Sequence, residues 1–129
     1  MRSQNLSRLT PYLQSVLRIV AAFIYIAHGT QKLFGIPAAA RVPLRSLLGA
    51  AGVLETVGGA LMLLGLFTRP VAFLLSGQMA VAYYLAHWPG EKWPILNGGE
   101  LAVLFCFIWL FFVAAGPGPW SLDALRKRL

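Results

Sequence analysis

The sequence is short of cysteine, and this shortage limits the redox chemistry open to it. The chain of 129 residues has one cysteine, Cys106, which can form neither an internal disulfide nor a dithiol redox pair. Any redox chemistry must therefore use a bound cofactor or a partner protein. Because Cys106 lies inside an apolar run, we expect it to be a packing residue.

Charge is also scarce, and acidic residues are the rarer sign. Only 12% of the residues are charged, with 11 Lys+Arg against 4 Asp+Glu and a net charge of +7, whereas a soluble domain has about 25% charged residues. The basic residues are scattered at the edges of apolar runs, and only residues 126–128 form a continuous basic run. This scatter argues against nucleic-acid binding, so we predict no nucleic-acid partner and interpret the charge as a membrane-topology signal in contact with anionic lipid.

The sequence is rich in apolar residues, which make up 58% of the chain and give a mean hydropathy of +0.70. A soluble domain of this length leaves roughly a third of its surface in water and could not hide so much apolar area. Only helices or closed barrels cross a bilayer. The unbroken apolar run 103–113 lacks the alternation of barrel strands. The composition therefore predicts an all-α integral membrane protein.

Four stretches reach the roughly 17–25 residues that a membrane-spanning helix needs. They cover about residues 12–34, 46–67, 70–87 and 98–115. Glycine and proline residues separate them, and Pro70 suits the first position of the third helix. We predict a single membrane domain over residues 1–129, built as a four-helix transmembrane bundle.

The chain ends in a short amphipathic segment at residues 121–129. Ser121 can cap a helix there, Asp123 lies in its first turn, and Trp120 is placed like an interfacial anchor. Basic residues are concentrated near the N-terminus, the second loop and the C-terminus, which places these on the cytoplasmic side. The residues on that side are Arg2, Arg8, Arg18, Arg69, Arg126, Lys127 and Arg128, against Lys32, Arg41, Arg45 and Lys92 on the other. We predict a bacterial-type inner (plasma) membrane protein with both termini in the cytoplasm.

Several polar residues lie inside the predicted spans, where an ionisable group costs about 2.5–3.5 kcal/mol at mid-helix. They are Tyr25, His28, Gln31 and Lys32 in the first span, Glu55 in the second, Gln78, Tyr83 and His87 in the third, and Asn97 and Glu100 at the start of the fourth. Glu55 has only glycine and alanine one turn away, so we expect it to face the bundle interior. Gln78 lies near the middle of its span. The residues that lie toward the outer ends of their spans are His28, Lys32, Tyr83, His87, Asn97 and Glu100. Their depth predicts a pocket that opens outward or sideways into the outer leaflet, above an apolar inner half.

Each of these residues also has a plain structural interpretation. Lys32 can extend to the interface, and His87 can be an ordinary interfacial residue. Glu100 suits a helix N-terminus, and Gln78 suits an interhelical hydrogen bond. Glu55 can form a purely structural pair with Lys32 or His28. No residue spacing typical of a metal site is present, so we predict no bound metal.

Several short motifs together resemble one known family. Residues 28–35 (HGTQKLFG), 55–59 (ETVGG), 63–69 (LLGLFTR), 97–100 (NGGE) and 116–123 (GPGPWSLD) resemble, in order and spacing, the motifs of the DoxX family. The resemblance covers about residues 17–125. It implies a four-helix inner-membrane protein, and members are often described as oxidoreductase components linked to quinone or thiol stress.

The resemblance and the polar cluster together suggest a membrane subunit of a quinone-linked oxidoreductase. In this hypothesis His28 donates a hydrogen bond to a quinone oxygen, Glu55 relays a proton, and Lys32 or Tyr83 polarises the second oxygen. The remaining polar residues would bind the ligand: Tyr25, Gln31, Gln78, His87, Asn97 and Glu100. Electrons would come from a soluble redox enzyme as partner.

The alternative hypothesis is a non-catalytic membrane anchor or assembly subunit that docks soluble enzymes through its basic tail. The polar cluster would then only fix the helix packing. The glycine face of the second span could also serve a second copy of the chain, so a homo-oligomer fits either hypothesis. A small transporter has little support, because the sequence lacks a repeat or a broken span.

Overall fold

The computed structural model describes residues 3–38 and 45–128, and all regular structure within them is helical. Arg2, Arg41 and Leu129, which entered the prediction of topology or of the tail helix, lie outside the described residues. The helices are α1 (Ser3–Ser7), α2 (Thr10–Phe34), α3 (Leu47–Leu64), α4 (Thr68–Ala82), α5 (Pro94–Asn97), α6 (Glu100–Ala115) and α7 (Leu122–Arg128). A π-helical turn, Tyr83–His87, continues α4.

The four long helices follow the four predicted apolar stretches, but the start of α4 was predicted wrongly. α4 begins at Thr68, because Phe67 takes a left-handed conformation with φ 52° and acts as the N-cap residue. Pro70 therefore occupies the third helical position rather than the first. Its missing N–H is tolerated there, since the first four N–H groups of a helix have no partner within the helix.

The long helices run alternately between two ends of the bundle. We call the end that holds the start of α2, the α3–α4 turn and α7 the terminal end, and the opposite end, with the α5 segment, the loop end. α2 packs mainly on α3, and α4 packs mainly on α6. The two helix pairs meet chiefly where α3 contacts α4. The fold is thus two antiparallel helix pairs set side by side.

Small residues bring α2 and α3 close together. A Cβ at Gly29 would lie 2.6 Å from the backbone nitrogen of Thr56, and one at Gly59 would lie 2.7 Å from Ile26 Cγ1. Close backbone approach of this kind is the usual role of small residues at helix contacts in membranes. The glycine face noted in the sequence is therefore used, at least in part, within the chain.

Aromatic residues fill the core where the two helix pairs meet. The Tyr25 ring lies edge-on to Phe105 and Trp109, with centroids 5.0 and 5.3 Å away. Trp109 and Phe112 are fully buried, as are Met62 and Leu75. Edge-to-face aromatic contacts at these separations add about 0.5–1.5 kcal/mol each to simple burial.

The terminal half of the bundle contains a buried arginine, so the prediction of an apolar inner half was wrong there. Arg18 is 0% exposed. Its guanidinium donates from Nε to the Met62 carbonyl at 2.8 Å, and to the carbonyls of Trp120 and Pro117. The Met62 carbonyl lies in the last turn of α3, and the other two lie in the non-helical segment before α7. Arg18 thereby joins three parts of the chain.

Asp123 and Arg69 complete the terminal end. The Asp123 carboxylate accepts hydrogen bonds from the backbone N–H groups of Phe67 and Thr68, both at 2.9 Å, and so caps α4. Partial burial raises the pKa of the Asp123 carboxyl, but hydrogen bonds from Thr68 and Phe67 outweigh burial and, with Arg126 nearby, hold that pKa below its usual value. Arg69 Nη1 donates to the carbonyls of Val113 and Ala114 at the end of α6.

The C-terminal helix forms close to the predicted place and folds back on the bundle. The Ser121 hydroxyl accepts from the Ala124 N–H at 3.1 Å, which confirms its predicted capping role. Asp123 N–H also donates to the Gly65 carbonyl at the α3–α4 turn. α7 is therefore docked on the terminal end and is not a free tail.

Two of the described helices are long and apolar enough to cross a membrane by length and composition, Thr10–Phe34 and Leu47–Leu64. Glu100–Ala115 is apolar but shorter, with 16 residues.

Candidate functional site

A hydrogen-bonded chain of polar side chains crosses the interior between the two helix pairs. Lys32 Nζ lies 2.6 and 2.7 Å from the two carboxylate oxygens of Glu55. Glu55 Oε1 also accepts from Gln78 Nε2 at 3.2 Å. Gln78 Oε1 in turn accepts from the Tyr25 hydroxyl at 2.7 Å. The chain thus joins α2, α3 and α4 in the order Lys32, Glu55, Gln78, Tyr25.

Burial differs sharply along this chain. Glu55 is 3% exposed, as expected from its small neighbours, whereas the Lys32 side chain is 26% exposed. Tyr25 is 1% exposed at the other end. The carboxylate is therefore held inside the protein by a cation that still reaches the surface, and a buried charge is tolerated only with such pairing.

The same four residues line a cavity of about 680 Å³ in the loop-end half of the bundle. This volume is within the range of small-molecule pockets, about 300–1,000 Å³. The cavity lies among α2, α3, α4, the π-helical turn and α6, and most of its lining is apolar. The apolar lining includes Leu54, Met79 and Phe105. A few polar groups on an otherwise apolar wall are what orients a ligand in such pockets.

His28 also lines this cavity, one helical turn from both Tyr25 and Lys32. Its ring lies edge-on to Phe105, with centroids 6.5 Å apart. Of the two partners predicted for Glu55, Lys32 and His28, the structure shows Lys32. The His28 ring therefore stands beside the hydrogen-bonded chain and not within it.

The cavity reaches the outside of the bundle between α3 and α4. Leu48 on α3, and Leu74 and Val81 on α4, line the cavity and are also more than half exposed. Gly77 stands between the two α4 residues, and a Cβ added there would meet no atom within 4 Å. This gap is the sideways opening that the depth of the polar residues suggested.

The remaining predicted ligand-binding residues form a second group that orders the loop end. Asn97 Nδ2 donates to the Tyr83 hydroxyl at 3.0 Å and to the Glu91 carbonyl at 2.9 Å, and Tyr83 donates to the Lys92 carbonyl. His87 Nδ1 lies 3.0 Å from the Asn97 carbonyl oxygen. Of this group, only His87 also lines the cavity.

Two predicted residues stand apart from both groups. Gln31 is half-buried and lies outside the cavity lining, and Glu100 is exposed in the first turn of α6. The position of Glu100 matches its structural interpretation as a residue stabilised by the helix dipole. Neither side chain reaches the Lys32–Glu55–Gln78–Tyr25 chain.

Sequence reasoning missed the π-helical turn and the glycine opening. Tyr83–His87 carries Leu85, Ala86 and His87 into the cavity wall, and π-helical turns occur often at functional sites. Amino-acid propensities do not predict where a π-helical turn forms. An isolated Gly77 in the middle of a predicted span was the signal available for the opening, since glycine inside a helix usually has a packing or functional reason.

In the part of the chain that the structure describes, no three His, Cys, Asp or Glu side chains come together as a group that could hold a metal ion. The side chains that line the cavity include a carboxylate, an ammonium, a phenol and an imidazole, which are groups suited to hydrogen bonding and proton transfer.

Comparison with known proteins identifies relatives. The DoxX family model matches residues 13–88, which include most of α2 and all of α3, α4 and the π-helical turn. An uncharacterized protein of Haemophilus influenzae is 44% identical over 129 residues, covering 92% of this chain and 94% of that protein. An uncharacterized membrane protein of Mycobacterium tuberculosis is 28% identical over 136 residues, covering 87% of this chain and 80% of that protein. No solved structure matches.

Proposed function

The chain belongs to the DoxX family, and on that premise we propose that it is a four-span membrane subunit that binds the headgroup of a quinone in the cavity of its loop-end half. The observation that carries the proposal is the Lys32–Glu55–Gln78–Tyr25 chain on the wall of an otherwise apolar cavity. The subunit would serve a redox complex whose electrons come from a partner protein.

The outer surface of the bundle supports the membrane placement. Each long helix exposes a large apolar residue near its middle: Phe23 on α2, Val57 on α3, Phe73 on α4 and Phe107 on α6, each more than half exposed. Such residues on all four faces of a bundle are costly in water and suited to lipid. The relative from Mycobacterium tuberculosis is described as a membrane protein. α4 with the π-helical turn spans 20 residues, Thr68 to His87, enough to cross about 30 Å at 1.5 Å per residue.

The residues of the cavity fit a quinone headgroup. A quinone is a flat ring with two carbonyl oxygens that need hydrogen-bond donors, and it supplies two-electron, two-proton redox chemistry when bound. The Lys32 ammonium and the His28 ring are donors on one wall, and Phe105 offers an aromatic surface. The Tyr25 hydroxyl donates its single hydrogen to Gln78 and so holds the Gln78 amide in place on that wall. Glu55, hydrogen-bonded to Lys32 and Gln78, is placed to hold or pass a proton.

The gap beside Gly77 supports entry from the bilayer. A quinone carries a long apolar tail and is dissolved in the membrane interior. An opening between α3 and α4 lined by exposed Leu48, Leu74 and Val81 would let the headgroup enter while the tail remains in lipid. At the loop end, Tyr83 and Asn97 hydrogen-bond to each other and to the loop, which leaves the side opening as the described route.

The test is mass spectrometry of an organic extract from protein purified in a mild detergent. We expect a quinone in the extract of the native protein, and at least about tenfold less from Glu55→Gln and from Tyr25→Phe, because each loses a hydrogen-bonded group worth about 1.4 kcal/mol or more. Tyr25→Phe removes only the hydroxyl and keeps the ring packing. Glu100→Gln is the matched control, since it neutralises an exposed carboxylate outside the cavity.

Thermal unfolding of each variant shows whether it is still folded. A quinone retained equally by all three variants would contradict the proposed site. No small molecule in any sample would instead favour a non-catalytic anchor or assembly subunit, in which the polar chain only fixes the packing of α2, α3 and α4.

A further inference from the structure

A second concave surface lies at the terminal end, far from the cavity, and its charge is basic. We call it the basic groove: a depression of about 640 Å³ between the α3–α4 turn, the segment after α6 and α7. Its charged lining residues are Arg69, Asp123, Arg126 and Lys127. We propose that this groove binds the phosphate of an anionic lipid headgroup.

The single acidic residue of the groove is already occupied. Both carboxylate oxygens of Asp123 accept backbone N–H groups at the start of α4, and Arg126 Nη1 lies 3.9 Å away. The negative charge of Asp123 thus interacts with the positive end of the α4 dipole. The groove therefore has three positive charges and one negative charge, and the negative charge already binds the start of α4. An anionic ligand would balance the remaining positive charge.

Two of the three cations are held in defined positions. Arg69 Nη1 is fixed by the carbonyls of Val113 and Ala114. Arg126 lies over the Phe67 ring, 5.1 Å from its centroid. The segment that forms the groove floor is pinned by Arg18, which holds the Pro117 carbonyl. A site prepared in this way loses little side-chain entropy on binding.

The surroundings of the groove point to a lipid rather than to a free phosphate or an acidic protein. Large apolar side chains stand exposed around it: Phe67, Leu122 and Leu125. Trp120 is exposed beside them and packs on Tyr12, with ring centroids 5.5 Å apart. Cations mixed with exposed leucine and aromatic residues are typical of a surface at the level of the lipid headgroups. An anionic lipid fits both features of this surface. Its phosphate would contact the cations, and its acyl chains would contact the exposed apolar side chains around the groove.

The inference goes beyond the proposed function and does not depend on what the loop-end cavity binds. The experiment is native mass spectrometry of the full chain in detergent, titrated with phosphatidylglycerol or with phosphatidylcholine carrying the same acyl chains. We expect phosphatidylglycerol to bind more tightly, and Arg126→Gln/Lys127→Gln to weaken its binding about 30-fold, as the loss of two headgroup contacts of about 1 kcal/mol each predicts.

The matched control is Arg8→Gln/Lys92→Gln, which removes the same charge from exposed positions outside the groove. We expect it to bind phosphatidylglycerol within about twofold of the native protein. Lys127→Gln alone is the second variant, because Lys127 makes no hydrogen bond or ion pair with the described residues and its loss leaves the docking of α7 intact.

Equal weakening in the groove and control variants would overturn the proposal, because it would mean that net charge alone attracts the lipid. Equal binding of the two lipids would overturn it as well. Displacement of phosphatidylglycerol by millimolar inorganic phosphate, or tight binding of an acidic protein that excludes the lipid, would assign the groove to another occupant.

Discussion

Glu55 and Lys32 show how a membrane helix can keep a carboxylate in its interior. The pair is bidentate and receives a further hydrogen bond from Gln78. A buried ion pair stabilises little by itself, because the loss of hydration offsets the attraction, but removing one partner is strongly destabilising. The pair is thus consistent with a structural role as well as with ligand binding, which is why Tyr25→Phe accompanies Glu55→Gln in the extraction experiment.

Arg18 shows how one residue can be misread from position alone. Near the start of an apolar span, it was interpreted as one more cytoplasmic charge. In the structure it is fully buried and bonded to three carbonyls from α3 and the segment before α7. An arginine has five N–H donors in a rigid fork and is suited to several carbonyls at once. Sequence position cannot distinguish such a residue from a surface cation.

Asp123 supplies a prediction on pH at the same scale. Asp123→Asn should lower the free energy of unfolding by about 1 kcal/mol at neutral pH, because it removes the charge at the start of α4. The folded-state pKa lies below the unfolded value of about 3.9. The stabilisation is therefore present above about pH 4 and is lost as the pH falls through the folded pKa.

Thermal unfolding of both proteins in detergent across this pH range checks the prediction. The difference in melting temperature between native protein and variant should be constant from pH 7 to about pH 5 and should shrink below about pH 4. A difference that grows on acidification would contradict the assigned direction.

At the scale of elements, two glycines on different helices have opposite roles. Gly29 on α2 faces α3, and a Cβ there would lie 2.6 Å from the backbone nitrogen of Thr56 and 2.9 Å from the Gly52 carbonyl oxygen. Gly77 on α4 stands at the open side of the cavity, with no atom within 4 Å of an added Cβ. The first glycine is required by packing, and the second is not.

Gly29→Ala should therefore destabilise the protein, by about 1–3 kcal/mol, since backbone atoms of α3 must move to admit the methyl group. Gly77→Ala should be neutral or slightly stabilising, because alanine favours the helix by about 1 kcal/mol and meets no neighbour. Thermal unfolding of the two variants side by side measures the contrast, and equal effects would show that α2 and α3 are not packed as described.

The π-helical turn is the element that shapes the loop end. After Ala82 the helix widens for the five residues Tyr83–His87. Tyr83 contacts Asn97, and His87 contacts the Asn97 carbonyl, while Leu85 and Ala86 line the cavity. One turn therefore connects the cavity wall to the hydrogen bonds that order residues 91–99.

At the scale of the whole molecule, the two helix pairs explain where the cavity is. α2 with α3, and α4 with α6, form the closer contacts, whereas α2 and α6 touch little. Toward the terminal end the space between the pairs is filled by Trp109, Phe112 and Met62. Toward the loop end it is left as the cavity. The polar chain lies at the boundary between these filled and open halves.

The proposed four-span arrangement predicts where each end of the molecule is accessible. In a Cys106→Ser background, Ser7→Cys and Lys127→Cys should react with a membrane-impermeant maleimide only after the cell membrane is opened. Glu91→Cys should react in intact cells. These three positions are exposed in the structure and lie at opposite ends of the bundle, and the excess of basic residues at the terminal end predicts that this end is cytoplasmic.

Labelling of all three positions from the same side would contradict the four-span arrangement, and labelling of positions 7 and 127 in intact cells would reverse the predicted orientation. Cys106→Ser alone is the control for residual reactivity, because Cys106 is half-buried.

Much of this protein followed from the sequence by itself. Apolar composition and length predicted the four long helices, because an apolar run of this length can be recognised from the local sequence, without knowing which other helices it contacts. Small residues one turn from Glu55 predicted that it faces inward, and Ser121 predicted the cap of α7. The motifs of residues 28–35 and 55–59 identified the family. All of these features are local in the chain.

Only the tertiary structure decided which polar residues meet. Glu55 pairs with Lys32 rather than His28, Asn97 and Tyr83 order a loop, and Arg18 and Asp123 bind the ends of helices far from them in sequence. Such partnerships depend on helix rotation and on how two helix pairs approach each other. Helix rotation and the approach of the two pairs are set by the packing of many side chains from all the helices, and a short stretch of sequence does not contain that information.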